Sequence, residues 1–144
     1  MAIPAAFVKM GALIGATAAL GAFASYRFYH AGQWLPPMPD SEKTEGSKVR
    51  GCMSQVWLSH KLIPGPPRTL EFHGDSDAHI VKGLIALLFA LCSNRTPQDI
   101  LDTDIASAFT RLGLENHITM NRRNGFYAMV ERIKSMAATA VKAA

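Results

Sequence analysis

A chain of 144 residues suffices for one domain with its own core, unaided by disulfide or metal staples. Hydrophobic residues at 49% and charged residues at 18% are ordinary for a soluble globular fold. The net charge of +4 comes from basic residues scattered along the chain, so no Lys/Arg tract marks a nucleic-acid groove and no nucleic-acid partner is expected. The two cysteines, neither in a CxxC pair, exclude a disulfide framework and a zinc ribbon and point to a reducing compartment.

The first segment differs from the rest. From Met10 to Tyr26 there is no charge, and Ala and Gly dominate. About seventeen residues is at the short edge of a bilayer span. The glycines and the low hydrophobic density argue against a spanning helix. Three readings stay open: a weak membrane anchor, a targeting presequence, or a helix packed on the domain. The absence of any acidic residue before Asp40 favours the presequence slightly. Residues 1–25 are therefore read as an atypical apolar segment, 26–136 as the domain, and 137–144 as a frayed tail.

Residues 35–50 form a polar, proline-bearing loop, in which Pro36, Pro37 and Pro39 forbid a helix. A strand is predicted over Met53–Leu62, with Val56 and Leu58 on one face. Pro64-Gly65-Pro66-Pro67 turns the chain, and Thr69–His73 returns as the antiparallel partner. A helix is predicted over Asp77–Cys92, capped by Ser76 or Asp75 and apolar nearly all round, hence central to the core. Thr96-Pro97 opens a short helix. Another runs from about Asp104 to Leu112 and is ended by Gly113. The last begins near Asn121 and carries Phe126, Met129, Val130, Ile133 and Met136 at helical spacing. A hairpin followed by helices implies one α+β domain, a small antiparallel sheet flanked by helices.

Cys52 lies where the polar loop meets the first strand. Gly51 before it permits unusual backbone angles. Lys48 and Arg50 upstream are expected to favour the thiolate, the nucleophilic form. From the residues alone, a reactive thiol and a small buried apolar side chain are evenly matched readings. Cys92, at the end of the most apolar helix, reads as an inert core thiol. The five histidines show no metal-ligand spacing, and no metal site is expected. Asp75 and Asp77 read as caps of the core helix, with a general acid or base pair as the alternative.

Four segments carry a resemblance: LPPMPDSEKTEGSKVRGCMSQVWL (35–58), FHGDSDAHIVKGLIALL (72–88), RTPQDIL (95–101) and LGLENHITMNRRNGFYAMVERI (112–133). In their order and spacing the chain resembles the SufE family of sulfur acceptors. The likeness runs from about Tyr26 to Lys134. It implies an α+β fold similar to that of IscU-type iron–sulfur scaffolds. It also implies that Cys52 accepts a persulfide from a SufS-type cysteine desulfurase and hands the sulfur to an iron–sulfur scaffold of the SufB type. No cofactor is implied for the chain itself; the pyridoxal phosphate belongs to the desulfurase. By the same resemblance Gly51, Gln55, Asp75 and Arg122 support the site, and Trp57 shapes the strand behind it. A homodimer is compatible with the pattern, and the cytoplasm is the expected compartment unless residues 1–25 direct the chain to an organelle or a membrane. Only a trace of the family's usual opening helix survives, at Tyr26–Gly32. A degenerate member that binds the desulfurase without carrying sulfur is the alternative. If residues 1–25 lie outside the functional domain, a chain beginning at Ser25 folds and stimulates a cysteine desulfurase as the full chain does. Circular dichroism and a sulfide-release assay check this; failure of either places the segment inside the domain.

Overall fold

The computed structural model describes residues 30–33 and 35–143; the Ala/Gly-rich segment lies outside them. Strands β1 (Val56–Ile63) and β2 (Thr69–Ser76) form an antiparallel hairpin, paired from Val56↔Ser76 to Ile63↔Thr69. Helices α1 (His79–Cys92), α2 (Pro97–Asp102), α3 (Ile105–Arg111) and α4 (Met120–Lys142) follow, with 3-10 turns at Asp40–Glu42 and Leu114–His117. The fold is α+β, as the element order implies. No helix among the described residues is long and apolar enough to cross a membrane.

β2 alternates strictly, with Leu70, Phe72, Gly74 and Ser76 buried, so one face of the hairpin is committed to the core. α1 packs on that face at a distance set by Gly74. A Cβ there would lie 2.8 Å from Leu58 Cδ2, 2.9 Å from Phe89 Cζ and 3.0 Å from Ile85 Cγ2, so any side chain would push helix and sheet apart. α1 is buried from Leu84 through Phe89 without interruption, because β2 covers one side and α4 another. Cys92 is fully buried at its end, and burial pushes that thiol up to about 11, as an inert core cysteine requires. Phe109 of α3 stacks on Phe126 of α4 at 4.1 Å between ring centroids. Removing either ring would cost about 3–5 kcal/mol. Lys134 of α4 donates to the carbonyls of Ile100 (2.6 Å) and Leu101 (3.0 Å), neutralising the open C-terminal end of α2.

Several boundaries move for physical reasons. The first strand starts at Val56, not Met53, because residues 53–55 belong to a loop held from outside the sheet. β2 runs on to Ser76, and α1 begins only at His79 with no side-chain cap. The candidate caps are engaged elsewhere. Asp75 pairs with Lys43 (2.9 Å) and Lys82 (3.3 Å), Ser76 Oγ accepts from the Ala78 amide, and Asp77 faces Gln55. Asp104 caps α3 from just outside it, and Gly113 in the left-handed region closes it. α4 continues through the residues expected to fray as far as Lys142, since Ala137 and Ala140 are buried.

The polar loop is more ordered than its prolines suggest. Glu42 and Lys43 reach the sheet's outer face, where Glu42 accepts from Ser59 Oγ (2.7 Å) and Lys43 lies 5.8 Å from the centroid of the Trp57 ring. Ser47, buried, donates from its hydroxyl to the Glu42 carbonyl (2.6 Å). The Leu58 amide then donates to Ser47 O and the Val49 amide to Val56 O, both at 2.8 Å, so Ser47–Val49 adds a short third edge to β1.

His73 sits between two carboxylates, Glu42 through Nδ1 and Glu71 through Nε2, each 2.9 Å away. Partial burial opposes its charge, but the two hydrogen-bonded carboxylates outweigh that and hold its pKa above the ordinary 6.5. The imidazolium therefore stabilises the fold fully below pH 6.5, and that contribution disappears as pH rises through the raised folded value. Because the ring is partly exposed, about 0.5 kcal/mol or less is at stake. Urea unfolding of the native chain is expected to show this loss as pH rises above 6.5, and His73→Gln is expected to flatten it.

Candidate functional site

Cys52 lies on the six-residue loop Arg50–Gln55, between the short Ser47–Val49 edge and β1. The Val49–Val56 hydrogen bond closes the loop at its base. A second closure comes from the turn after β2: the Gln55 amide donates to Asp77 Oδ1 (3.0 Å) and the Asp77 amide donates to the Gln55 carbonyl (3.3 Å). Gly51 adopts φ +91°, a conformation that L side chains rarely take, and this turns Cys52 inward.

The thiol is half-buried against α4. Its Sγ lies 3.6 Å from the Gly125 carbonyl, a weak hydrogen bond in which the thiol donates. Gly125 presents bare backbone there: a Cβ on it would meet Cys52 Sγ at 3.4 Å. Beneath the loop is a cavity of about 20 Å³ with an apolar floor of Val81, Leu84, Phe126 and Met129. Its volume matches about one water-sized atom. Asn121 and Arg122 stand at its rim. Met53, which lines the cavity, is 83% exposed, and Met120, which precedes the rim residue Asn121 at the start of α4, is 66% exposed, leaving two flexible apolar side chains in water.

Burial pushes the Cys52 thiol up, and no cation brings it down. This corrects the expectation that Lys48 and Arg50 favour the thiolate. Arg50 lies on the solvent side, its nearest carboxylate Glu45 at 3.9 Å, and Lys48 sits on the Ser47–Val49 edge opposite Trp57, its amide donating to the Thr44 carbonyl at 3.1 Å. In this state Cys52 is a protonated, shielded thiol. Cys92 is also a free thiol, so the two do not form a disulfide.

The sequence-predicted residues divide. Gly51, Gln55 and Arg122 gather around Cys52, Gln55 through its backbone rather than its exposed side chain. Asp75 serves instead as a tie between Lys43 of the preceding loop and Lys82 of α1. Trp57 lies opposite Asp75 on the sheet's outer face, beneath Lys43. The residue that holds the loop is Asp77, which reads in the sequence as a helix cap. Gly125 left a usable signal: an isolated glycine inside a helical pattern weakens the helix by about 1 kcal/mol and so marks a packing reason. Among the described residues no cluster of three His, Cys, Asp or Glu could hold a metal ion.

Comparison with known proteins bears on the family and the fold. Residues 26–137 match the family model described as SufE, an Fe-S metabolism associated domain. The chain is 41% identical over 114 residues to an uncharacterized SufE-like protein of Rhizobium meliloti (strain 1021), covering 78% of this chain and 81% of that one. A solution structure of a hypothetical protein from Thermus thermophilus superposes with a TM-score of 0.75, covering 98% of this chain and 99% of that one, at 18% identity, a likeness of fold.

If the Gln55–Asp77 pair holds the loop shut, Asp77→Ala removes one side-chain acceptor worth about 1 kcal/mol and populates the open loop about fivefold more. Iodoacetamide labelling of Cys52 is expected to accelerate by that factor. Asp77→Asn keeps an Oδ1 acceptor and is expected to label near the native rate. Cys92 serves as an internal control, since its labelling reports opening of the core itself.

Proposed function

We propose that this chain, which belongs to the SufE family and thereby to iron–sulfur metabolism, takes sulfur onto Cys52 from a cysteine desulfurase and delivers it to cluster assembly. The observation that carries the reading is Cys52 itself: an unpaired thiol turned inward over a cavity with room for about one more atom. A metal site would need further ligands, and a structural cysteine would not need a glycine loop, a bare helix surface and a cavity around it.

The chemistry follows from the two states of the loop. Closed, Cys52 is shielded and protonated, so it resists adventitious oxidation and alkylation. Open, it enters water, its pKa falls back towards the ordinary range and the thiolate becomes available. That thiolate attacks the outer sulfur of a persulfide on the partner's cysteine. The partner's S–S bond breaks, its thiolate leaves, and the proton from Cys52 passes to solvent or to the departing sulfur. A new S–S bond forms on Cys52, and no net oxidant or reductant is consumed. Closure then brings the outer sulfur under the loop.

Met53 and Met120 suit contact with a protein surface, because methionine adapts its shape to a partner. Arg122 at the rim supplies a positive charge beside the anionic persulfide. The onward acceptor fits a scaffold of the SufB type, and the acceptor domain is assigned to residues 26–136. Incubation with a cysteine desulfurase and cysteine is expected to add about 32 Da per sulfur to the native chain, with none on Cys52→Ser. Complex formation without mass gain would replace the acceptor reading with that of a binding module.

A further inference from the structure

We propose that Gly125 is a specificity-determining residue: its missing side chain leaves the room that the outer sulfur of a Cys52 persulfide occupies. The inference rests on the acceptor reading and concerns the persulfide's lifetime rather than its origin.

Three observations meet at this residue. Gly125 lies in the middle of the first half of α4, a 23-residue helix whose backbone there would accept alanine, the better helix former. Its carbonyl accepts the thiol hydrogen bond. A Cβ on it would point at the sulfur, 3.4 Å from Sγ and 3.8 Å from Cys52 Cα and Cβ, at the edge of ordinary contact. A methyl group therefore fits beside the thiol. It does not fit beside a persulfide, because the cavity is about 20 Å³ and a methyl is about the size of the single atom it holds. The floor offers no alternative space, because Val81, Leu84, Phe126 and Met129 are buried and packed into the core, and the remaining lining residues Met53, Ser54, Asn121 and Arg122 border the opening to water. With alanine at 125 the outer sulfur is displaced towards the rim, where water and cyanide reach it. Gly125 thus distinguishes the loaded from the unloaded cysteine, although alanine would favour the helix.

The test loads the full-length native chain and Gly125→Ala from inorganic polysulfide, so it does not pass through the partner. The Cys52 thiolate attacks a polysulfide sulfur, an S–S bond of the polysulfide breaks, and the shortened polysulfide leaves. Cyanide then attacks the outer sulfur and leaves as thiocyanate, the S–S bond breaks, and Cys52 returns as thiolate. Thiocyanate release is expected to be about five- to tenfold faster from Gly125→Ala. Iodoacetamide labelling of the unloaded Cys52 is expected to stay within about twofold of native, and thermal stability is not expected to fall. Gly125→Ser, similar in size but a poorer helix former, is expected to behave like Gly125→Ala. Equal thiocyanate rates for native and Gly125→Ala overturn the proposal, as does equal acceleration of thiol labelling, which would mean a displaced loop. An effect confined to Gly125→Ser overturns it too, because the cause would then be a weakened helix. Failure of the native chain to load from a desulfurase, with polysulfide loading intact, would instead count against the acceptor reading.

Discussion

The site depends on a loop anchored at both ends by backbone hydrogen bonds and nowhere in its middle by more than a weak thiol contact. Val49–Val56 fixes where the loop leaves the sheet, and Gln55–Asp77 fixes where it returns. Between them, Gly51 reverses the chain and the thiol rests on the Gly125 carbonyl. Each neutral hydrogen bond is worth about 1 kcal/mol net, so such a loop opens far more readily than the core beneath it unfolds. The core supplies the contrast. Val81, Leu84, Phe126 and Met129 belong to the buried core of α1 and α4 and form the floor beneath the loop.

The outer face of the sheet shows why the loop's upstream end stays put. Glu42 bridges Ser59 and His73, while Lys43 bridges Asp40 and Asp75 and lies over Trp57. These groups are partly exposed, so no single pair contributes much. Their effect is collective: they lay the segment before Ser47 across the sheet, and Ser47–Val49 can then pair with β1. Asp75 belongs to this arrangement, one step removed from the thiol, through which the position of the Cys52 loop is inherited from charges on the opposite face.

Much of the fold was legible in the sequence because its signals are local. Alternation at Val56 and Leu58 gives the inward face of β1, and the unbroken apolar run 84–89 gives a helix covered on two sides. Cys52 and Gly51 were likewise visible as a loop-edge pair. What stayed hidden depends on partners distant in sequence. Asp77 has the residue type of a cap, and only its contact with Gln55, 22 positions earlier, shows that it holds the loop. Arg50 and Lys48 are close to Cys52 in sequence but bring no charge to the sulfur, because the loop turns the thiol inward and leaves Arg50 in solvent. Charge proximity along a chain is a poor guide where a glycine reverses direction between the charge and the thiol.

One opening equilibrium controls two quantities that multiply. Closed, the thiol is both half-covered and biased towards its protonated form, and each pKa unit of bias is a tenfold loss of thiolate. An opening cost of about 2 kcal/mol, the scale of the hydrogen bonds at stake, leaves about 3% of molecules reactive in isolation. A partner that binds only the open loop must supply that same amount from its contacts, a modest share of a protein interface. The exposed side chains of Met53 and Met120 sit where such contacts would form, one on the loop and one on the fixed helix. A surface bridging both would feel the difference between closed and open directly, because only Met53 moves. Reactivity would then follow from docking, with no need for a cation next to the sulfur.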